Sequence, residues 1–555
     1  MLSRLDIMII AAYLCAVVTL GFRTGARRRP GGEASHYFLA GNTLTWPVIG
    51  LALFAANIST VQLVSLAESA FKYGLVYGNV EWMGGFTLVI LSLFFAPLYL
   101  RSRVTTLPEY LERRYNRECR DWLTMISIVS AVVIHTGASL YAAAWVLRGV
   151  LGISPAGTIM GINALMFFII ILGVLTGIYT MMGGLRASVL TGSAQAVLVL
   201  AGAVAITVAG FIRVGGWAPL VATLATQPHP MGASGAVTGG TGNFLDLLRP
   251  GGDPSGLSWY SVLLGCPVIG IWYWCCDQTI VQRVLAAKDE RHARLGPLFC
   301  ASIKILPVFL FVLPGVICVA LVQQGVLGRG PSAPADTYMF MISHLLPAGL
   351  KGLVAAAMLA AAMQTCSAAL NSTATLFAYD IVKRRRPDTD DRELVTVGKG
   401  ATVAATILAI VLSPVFGHYP TIIEGLTRLI SFIAPPIAVV FLIGIFWKRA
   451  SGRGAYITLL AGTVAGFAAF VIDWYRWYPG NFLMTAFYLF VLCSVVMTAA
   501  SVAFPGPPGE EAKGLLWEGW RDALKGEPGG HGFGDYRVLA GVVVCVFISL
   551  YCIFR

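Results

Sequence analysis

Fourteen apolar stretches run through this chain. They lie at roughly 5–22, 44–73, 79–100, 123–150, 157–181, 187–212, 259–285, 296–325, 350–382, 397–417, 421–447, 455–474, 481–503 and 538–554. A helix needs about 20 apolar residues to cross a bilayer, and these stretches are of that order. Charged residues make up only 12% of the 555 residues and hydrophobic residues 57%; soluble domains carry about 25% and 45–50%. No soluble fold can cover so much apolar surface, so a soluble enzyme is excluded. The expected fold class is an all-α polytopic membrane protein of about fourteen transmembrane helices.

The net charge of +12 looks at first like a nucleic-acid signal. Basic residues also collect in cytoplasmic loops of membrane proteins, and their distribution decides. With the N-terminus outside, 28 of the 39 Lys and Arg fall in inside loops, nine fall outside, and Lys304 and Arg428 lie within spans. An even number of spans then puts both termini outside. That asymmetry explains the charge without a polyanionic partner, and no nucleic acid is expected. The first apolar run has no small-residue cleavage site after it and is followed by Arg27, Arg28 and Arg29, which reads as a retained span. A bacterial inner membrane is the expected location.

The loops carry fewer signals. Segment 104–119 begins with a Thr cap and Pro108, then alternates charge, and predicts a short interfacial helix. Segment 515–525 is amphipathic with two Trp and predicts a helix on the inner membrane surface. Segment 213–258, rich in Gly, Pro, Ala and Thr, predicts an irregular outer cap. Of the eleven Cys, none forms a CxxC pair; those in apolar stretches, such as Cys15, Cys266, Cys300, Cys545 and Cys552, read as small packing residues. There is no GxxxxGK[ST], no HExxH and no Cys/His cluster, which argues against ATP-driven transport and metalloenzyme chemistry. The sequons at Asn57 and Asn371 lie in or beside spans and are chance matches.

A span avoids polar groups unless they have a partner or a task. Segment 44–73 contains Asn57, Ser59, Thr60, Gln62 and Glu68. Segment 259–285 contains Gly265, Pro267 and Gly270, then Tyr273-Trp274 and Asp277-Gln278. Both look like interrupted helices, and they are five spans apart. Paired broken helices in two halves point to a midplane transport site. The single transporter domain, 1–555, then holds inverted repeats at 44–212 and 259–447, with peripheral spans at 455–555. Against this, Gly and Pro are common in membrane helices generally. Glu81 and Lys304 are each costly within a span, by on the order of 3 kcal/mol. Together they neutralise each other and can still offer hydrogen bonds to a polar ligand, or they form a purely structural pair. Tyr273 and Trp274 suit the apolar face of a sugar, with Gln62 and Glu81 taking hydroxyls; the other reading is lipid-interface aromatics.

These residues, in this order, carry a resemblance. Ala55-Ala56-Asn57-Ile58-Ser59, Leu107-Pro108-Glu109-Tyr110, Gly183-Gly184-Leu185-Arg186-Ala187 and Gln282-Arg283 are four of the blocks. Leu370-Asn371-Ser372-Thr373-Ala374-Thr375, Pro435-Pro436-Ile437-Ala438 and Phe446-Trp447-Lys448 are three more. The chain resembles the sodium/solute symporter family over essentially its whole length, and its sodium–glucose cotransporter branch in particular. The resemblance implies a leucine-transporter-like 5+5 inverted repeat and secondary active transport of a sugar or polyol by alternating access, with Na+ as the coupling ion.

It also implies a site. Gln62, Glu81, Tyr273, Trp274 and Lys304 match positions that contact or gate sugar, and Asn57 matches an Asn that bonds the gating Tyr. Thr427 stands where a Gln is usual, Gly270 where Asn or Thr is usual, and Gly84 where one carrier has Ser. For sodium, the resemblance points to the carbonyls of Ala55, Ile58 and Ala361 and the hydroxyl of Thr365. Gln364 stands where a second hydroxyl is usual, and Gly192 where an Asp is common. Oxygen ligands suit a hard cation; the Gln364 carbonyl can serve, or its NH2 can fill the site and abolish ion binding. Sodium-independent or proton-coupled transport is therefore an alternative, and a transporter-like sensor a more remote one. The partners expected are a small polar solute and the bilayer, with a monomer sufficient for transport.

Overall fold

The computed structural model of the protein describes residues 3–26, 33–154, 157–225, 244–328, 330–418, 422–475, 481–506, 509, 512, 514–525 and 534–555. The main helices are α1 (Arg4–Ala26), α2 (Trp46–Asn57), α3 (Thr60–Tyr73), α4 (Gly78–Ile90) and α5 (Arg117–Val150). They continue as α6 (Ala164–Leu185), α7 (Ser188–Val214), α8 (Trp259–Ile271), α9 (Gln278–Leu285) and α10 (Glu290–Gln323). The last are α11 (Leu350–Lys383), α12 (Asp391–His418), α13 (Ile422–Phe446), α14 (Gly452–Trp474), α15 (Phe482–Ala503) and α16 (Tyr536–Ile553). The sheet among the described residues is one small hairpin, Thr158–Ile159 with Ile162–Asn163.

Twelve helices among the described residues are long and apolar enough to cross a membrane. α3 and α4 run together as one of these, while α1 and α2 stand outside the twelve. The protein is an integral membrane protein; the figure of fourteen spans rests on the sequence.

The core is built around α11. Its Ala-rich run, Leu353 to Ala369, lets neighbouring backbones approach closely. α1, α5, α6, α7 and α12 pack on it. Two local devices shape what it faces. At the end of α6 Gly184 takes φ +59°, and a Cβ there would lie 2.8 Å from the Tyr37 carbonyl oxygen, so one long helical run becomes two. Between α2 and α3 the chain is extended at Ile58 and Ser59. Ser59 Oγ accepts from Val61 N at 3.2 Å, and Gln62 Oε1 accepts from Ser59 N at 3.0 Å. This capping box starts a new helix inside the membrane.

The second break is made differently. α8 widens into a π-helical turn at Trp272–Cys276 and stops at Asp277, whose Oδ1 accepts from Thr279 N at 2.7 Å and starts α9. π turns also interrupt α5 at Ser130–Gly137 and α11 at Phe377–Lys383. They are often found at functional sites.

The loops depart from expectation. The helix expected over 104–119 is Leu107–Arg114 only, capped by Thr106, and Asn116 begins α5. Arg114 turns inward and donates to the carbonyls of Gly444 (2.9 Å), Trp447 (3.1 Å) and Ala450 (3.3 Å), closing the end of α13. Segment 515–525 is not a surface helix: only Trp520–Ala523 is helical. Trp517 is buried, its indole donating to Phe94 O at 2.9 Å, because its neighbours leave an interior slot for it. In the expected outer cap, Trp217–Ala225 forms a helix that composition did not suggest, 244–258 is irregular, and 226–243 lie outside the described residues. Cys15, Cys545 and Cys552 are exposed on outward helix faces rather than packed inside.

Candidate functional site

The two helix breaks frame a buried polar cluster. α10 brings Lys304 into it. Pro307, lacking an N–H, opens the helical ladder one turn on, and the chain relaxes into a turn at Lys304 and Ile305. α4 brings Glu81. The Lys304 ammonium donates to Glu81 Oε2 and to Asn57 Oδ1. Both charged side chains are 2% exposed. Asn57, the last residue of α2, uses its other end to donate from Nδ2 to the Tyr273 hydroxyl at 3.2 Å. One continuous set of bonds therefore runs from α4 through α10 and the α2 break to the α8 break.

Trp274 covers this set. Lys304 Nζ lies 5.4 Å from the centre of its ring, and Tyr273 meets the ring edge-on at 5.0 Å. Trp274 is 3% exposed, so it is not a lipid-interface residue. Gly84 makes room for it: a Cβ at Gly84 would come within 3.1 Å of Trp274 Nε1. Gly270 has another reason. A Cβ there would meet Thr87 Cγ2 at 2.7 Å, so the glycine lets α8 seat against α4.

Two predicted residues are placed otherwise. Gln62 spends its carbonyl on the capping box, where it also accepts from Ser59 Oγ at 2.5 Å. Only its amide nitrogen is left to offer a solute. Thr427 donates to Ile423 O of its own helix at 2.7 Å and takes no part in the cluster.

Of the predicted ion residues, Thr365 reaches the first break from α11. The ladder of α2 stops there: Ser59 N is turned to Gln62 instead of continuing to Ala55 O. Thr365 Oγ1 of α11 lies 3.3 Å from Ala56 O and 3.2 Å from Ala361 O, joining α11 to the break. Ala55, Ile58 and Ala361 are all buried. Gln364, 1% exposed, donates from Nε2 to Ser188 Oγ at 3.4 Å, and its carbonyl oxygen has no hydrogen-bond partner. It lies directly over Gly192, where a Cβ would fall 2.3 Å from Gln364 Nε2.

Sequence reasoning missed His135. Its Nε2 lies 3.0 Å from Asp277 Oδ2, and its ring is stacked on Trp272 and tilted against Tyr273. A lone His in an apolar run gives no periodic signal; only the fold pairs it with Asp277. The groups at this centre lie inside membrane-spanning helices. Outside them, Asp289 begins α10: burial alone would raise its carboxyl, but hydrogen bonds from the His292 backbone and ring, with the charges of His292 and Lys288, hold it below the usual range.

Known proteins resemble this chain in sequence and fold. The sodium/mannose cotransporter SLC5A10 of Bos taurus is 31% identical, the alignment covering 100% of this chain and 97% of that one. The sodium/glucose cotransporter 2 of Rattus norvegicus is 32% identical over 85% of this chain and 72% of its own length. The sodium/myo-inositol cotransporter 2 of Sus scrofa is 33% identical over 85% and 70%. Among solved structures, a substrate-bound outward-open Na+-coupled sialic acid symporter superposes with a TM-score of 0.75 at 20% identity, covering 91% of this chain and 99% of that one. Its likeness establishes the leucine-transporter-like fold. The sodium:solute symporter family matches residues 37–462, more than three-quarters of the chain, and the protein belongs to that family.

Proposed function

We propose that the protein is a secondary transporter that couples the entry of Na+ to uptake of a sugar or polyol by alternating access. The observation that carries this is the Glu81–Lys304–Asn57–Tyr273 set, buried between two broken helices. The names of the relatives, which transport mannose, glucose and myo-inositol, support a polyhydroxylated solute. Glu81 accepts from solute hydroxyls, Lys304 donates to them, and Trp274 offers an apolar ring face. Gln62 contributes its NH2. Tyr273, held by Asn57, closes the inner exit. Thr427 donates to Ile423 O of its own helix, and its hydroxyl oxygen can still accept from a solute hydroxyl.

Sodium suits the donors at the first break. Ala55, Ile58 and Ala361 supply carbonyls, Thr365 a hydroxyl and Gln364 an amide carbonyl. All are neutral oxygens, which a hard cation accepts. The amide NH2 of Gln364 is turned to Ser188 and the carbonyl is the end without a partner. That favours ion binding over an amide plug. Bound there, the ion ties α2 to α11 and sets the α2 break that carries Asn57. The inward gradient then drives uptake, each charge gaining about 2.3 kcal/mol per 100 mV.

In this reading both termini are outside, the inverted repeats are 44–212 and 259–447, the bacterial inner membrane is the setting, and one chain suffices. The protein acts as a transporter, not an enzyme. The test is uptake of labelled sugars and polyols into proteoliposomes, with an inward sodium gradient or with choline in its place. Accumulation above equilibrium with sodium alone is expected. Equal, merely equilibrating uptake in both overturns the sodium coupling.

A further inference from the structure

The solute and ion sites leave the buried His135–Asp277 pair without a task. His135 sits on the π-helical turn of α5, which packs on α11 and α12. Asp277 sits at the break between α8 and α9, whose π-helical turn packs on α4 and α13. Their contact, Nε2 to Oδ2 at 3.0 Å, therefore joins α5 to the α8–α9 break, and both side chains are 6% exposed. It lies beside Tyr273: the His135 ring centre is 5.8 Å from that of Tyr273, whose hydroxyl is held by Asn57. Asp277 is already anchored, since its Oδ1 caps α9. Its Oδ2 is the oxygen that faces α5.

The Arg283 cation stands near this pair. From the α8–α9 side, Tyr273 and Arg283 face it; the Arg283 guanidinium is fully buried, donates to Thr279 O, and has no partner at Nε or Nη2. From α11, the Cys366 thiol donates to Thr136 O at 3.7 Å. From α6, Tyr179 is hydrogen-bonded to Thr191. From the 413–418 turn at the end of α12, Ser413 donates to Gly137 O at 2.9 Å. Toward the cytoplasmic ends, Arg120 is taken by Asp380 at 2.7 Å and by Glu112. Among the described residues, Asp277 is the one carboxylate bonded to His135.

We propose that His135 is a proton-binding site that sets the inner gate. Protonated, it ties α5 to the α8–α9 break through Asp277; deprotonated, it holds that tie more weakly. An imidazolium–carboxylate bond is roughly twice as strong as the same bond from a neutral ring. An opening beneath Tyr273 that moves the α8–α9 break away from α5 must break it. The inference rests on the alternating-access reading above and adds a proton as a ligand that the reading does not need.

The test is sodium-driven solute uptake by the full chain in proteoliposomes, with the same pH on both sides, stepped from about pH 8 to about pH 5. Wild-type uptake should slow by about tenfold toward the acid end, the worth of one charge-assisted bond in place of a neutral one. His135→Gln should transport at the alkaline rate throughout. His135→Lys, which sets an ammonium against Asp277, should stay slow at every pH. If His135→Gln keeps the wild-type profile, or His135→Lys matches the wild-type alkaline rate, the gate is refuted. Should His135→Gln fail to fold, the His135→Lys arm decides alone. Sodium-driven uptake that is flat with pH in the wild type also refutes the gate while leaving the symporter standing. No sodium-driven uptake at any pH instead refutes the symporter reading.

Discussion

Replacing Lys304 with Met separates a solute-binding role from a structural one. Lys304 and Glu81 are each 2% exposed. Removing the ammonium leaves the Glu81 carboxylate buried without its partner and takes a donor from Asn57, which holds Tyr273. Breaking a buried pair from one side costs about 3–5 kcal/mol. Glu81→Gln is milder, since an amide oxygen still accepts from Lys304. The double variant Glu81→Gln/Lys304→Met removes both charges, and a neutralised pair is often as stable as the charged one. Stability should therefore fall in Lys304→Met and return in the double variant. Solute affinity should not return, because each lost hydrogen bond to a charged group is worth about 1.5–3 kcal/mol. That is roughly 10- to 150-fold in Kd. The assay is thermal unfolding of the purified protein beside solute binding at saturating sodium. If the double variant binds solute as tightly as the wild type, the pair is structural and the proposed site is wrong.

Three further outcomes follow from the packing. Gly192→Ala drives a methyl to within 2.3 Å of Gln364 Nε2; an overpacked core site costs about 1–3 kcal/mol. Half-saturation for sodium should rise, and Gln364→Ser, by shortening the facing side chain, should relieve part of the defect. Gly270→Asn restores a polar residue usual in the family but meets Thr87 at 2.7 Å. It should lower the melting temperature without tightening solute binding, measured by the same two assays. Trp517→Ala empties a buried slot and removes the bond to Phe94 O, so stability should drop by about 3–5 kcal/mol, read as thermal unfolding, with solute affinity in the folded fraction unchanged.

Much of the fold is legible in the residues because of the physics of the bilayer. Within hydrocarbon the backbone must bond to itself, so apolar length alone announces helices. Cost alone announces Glu81 and Lys304 as partners. The break in 44–73 is also legible, since Ser59 and Gln62 are spaced as a capping box. The role of Gln62 is harder to read. The same spacing that reveals the break uses the Gln62 carbonyl, and a residue matched to a solute contact proves to be half committed to the backbone. The amphipathic pattern at 515–525 misleads because a periodic stretch shows which residues seek apolar surroundings, not whether those are lipid or protein. Trp517 finds protein.

Gln364 and Gly192 show where reading residue by residue stops. Each is a separate departure in the sequence, one adding an amide and the other removing a carboxylate. In the fold they are one change, because the side chain of Gln364 occupies the space that a Cβ at Gly192 would need. A glycine announces nothing about what fills the room it leaves, and the two lie far apart in the chain, on α7 and α11. The same holds for His135 and Asp277, from α5 and the α8–α9 break. Each pair joins two distant parts of the chain within the core. Single substitutions at these positions therefore report strain or an unpaired group, and only the combined variants report what the site does.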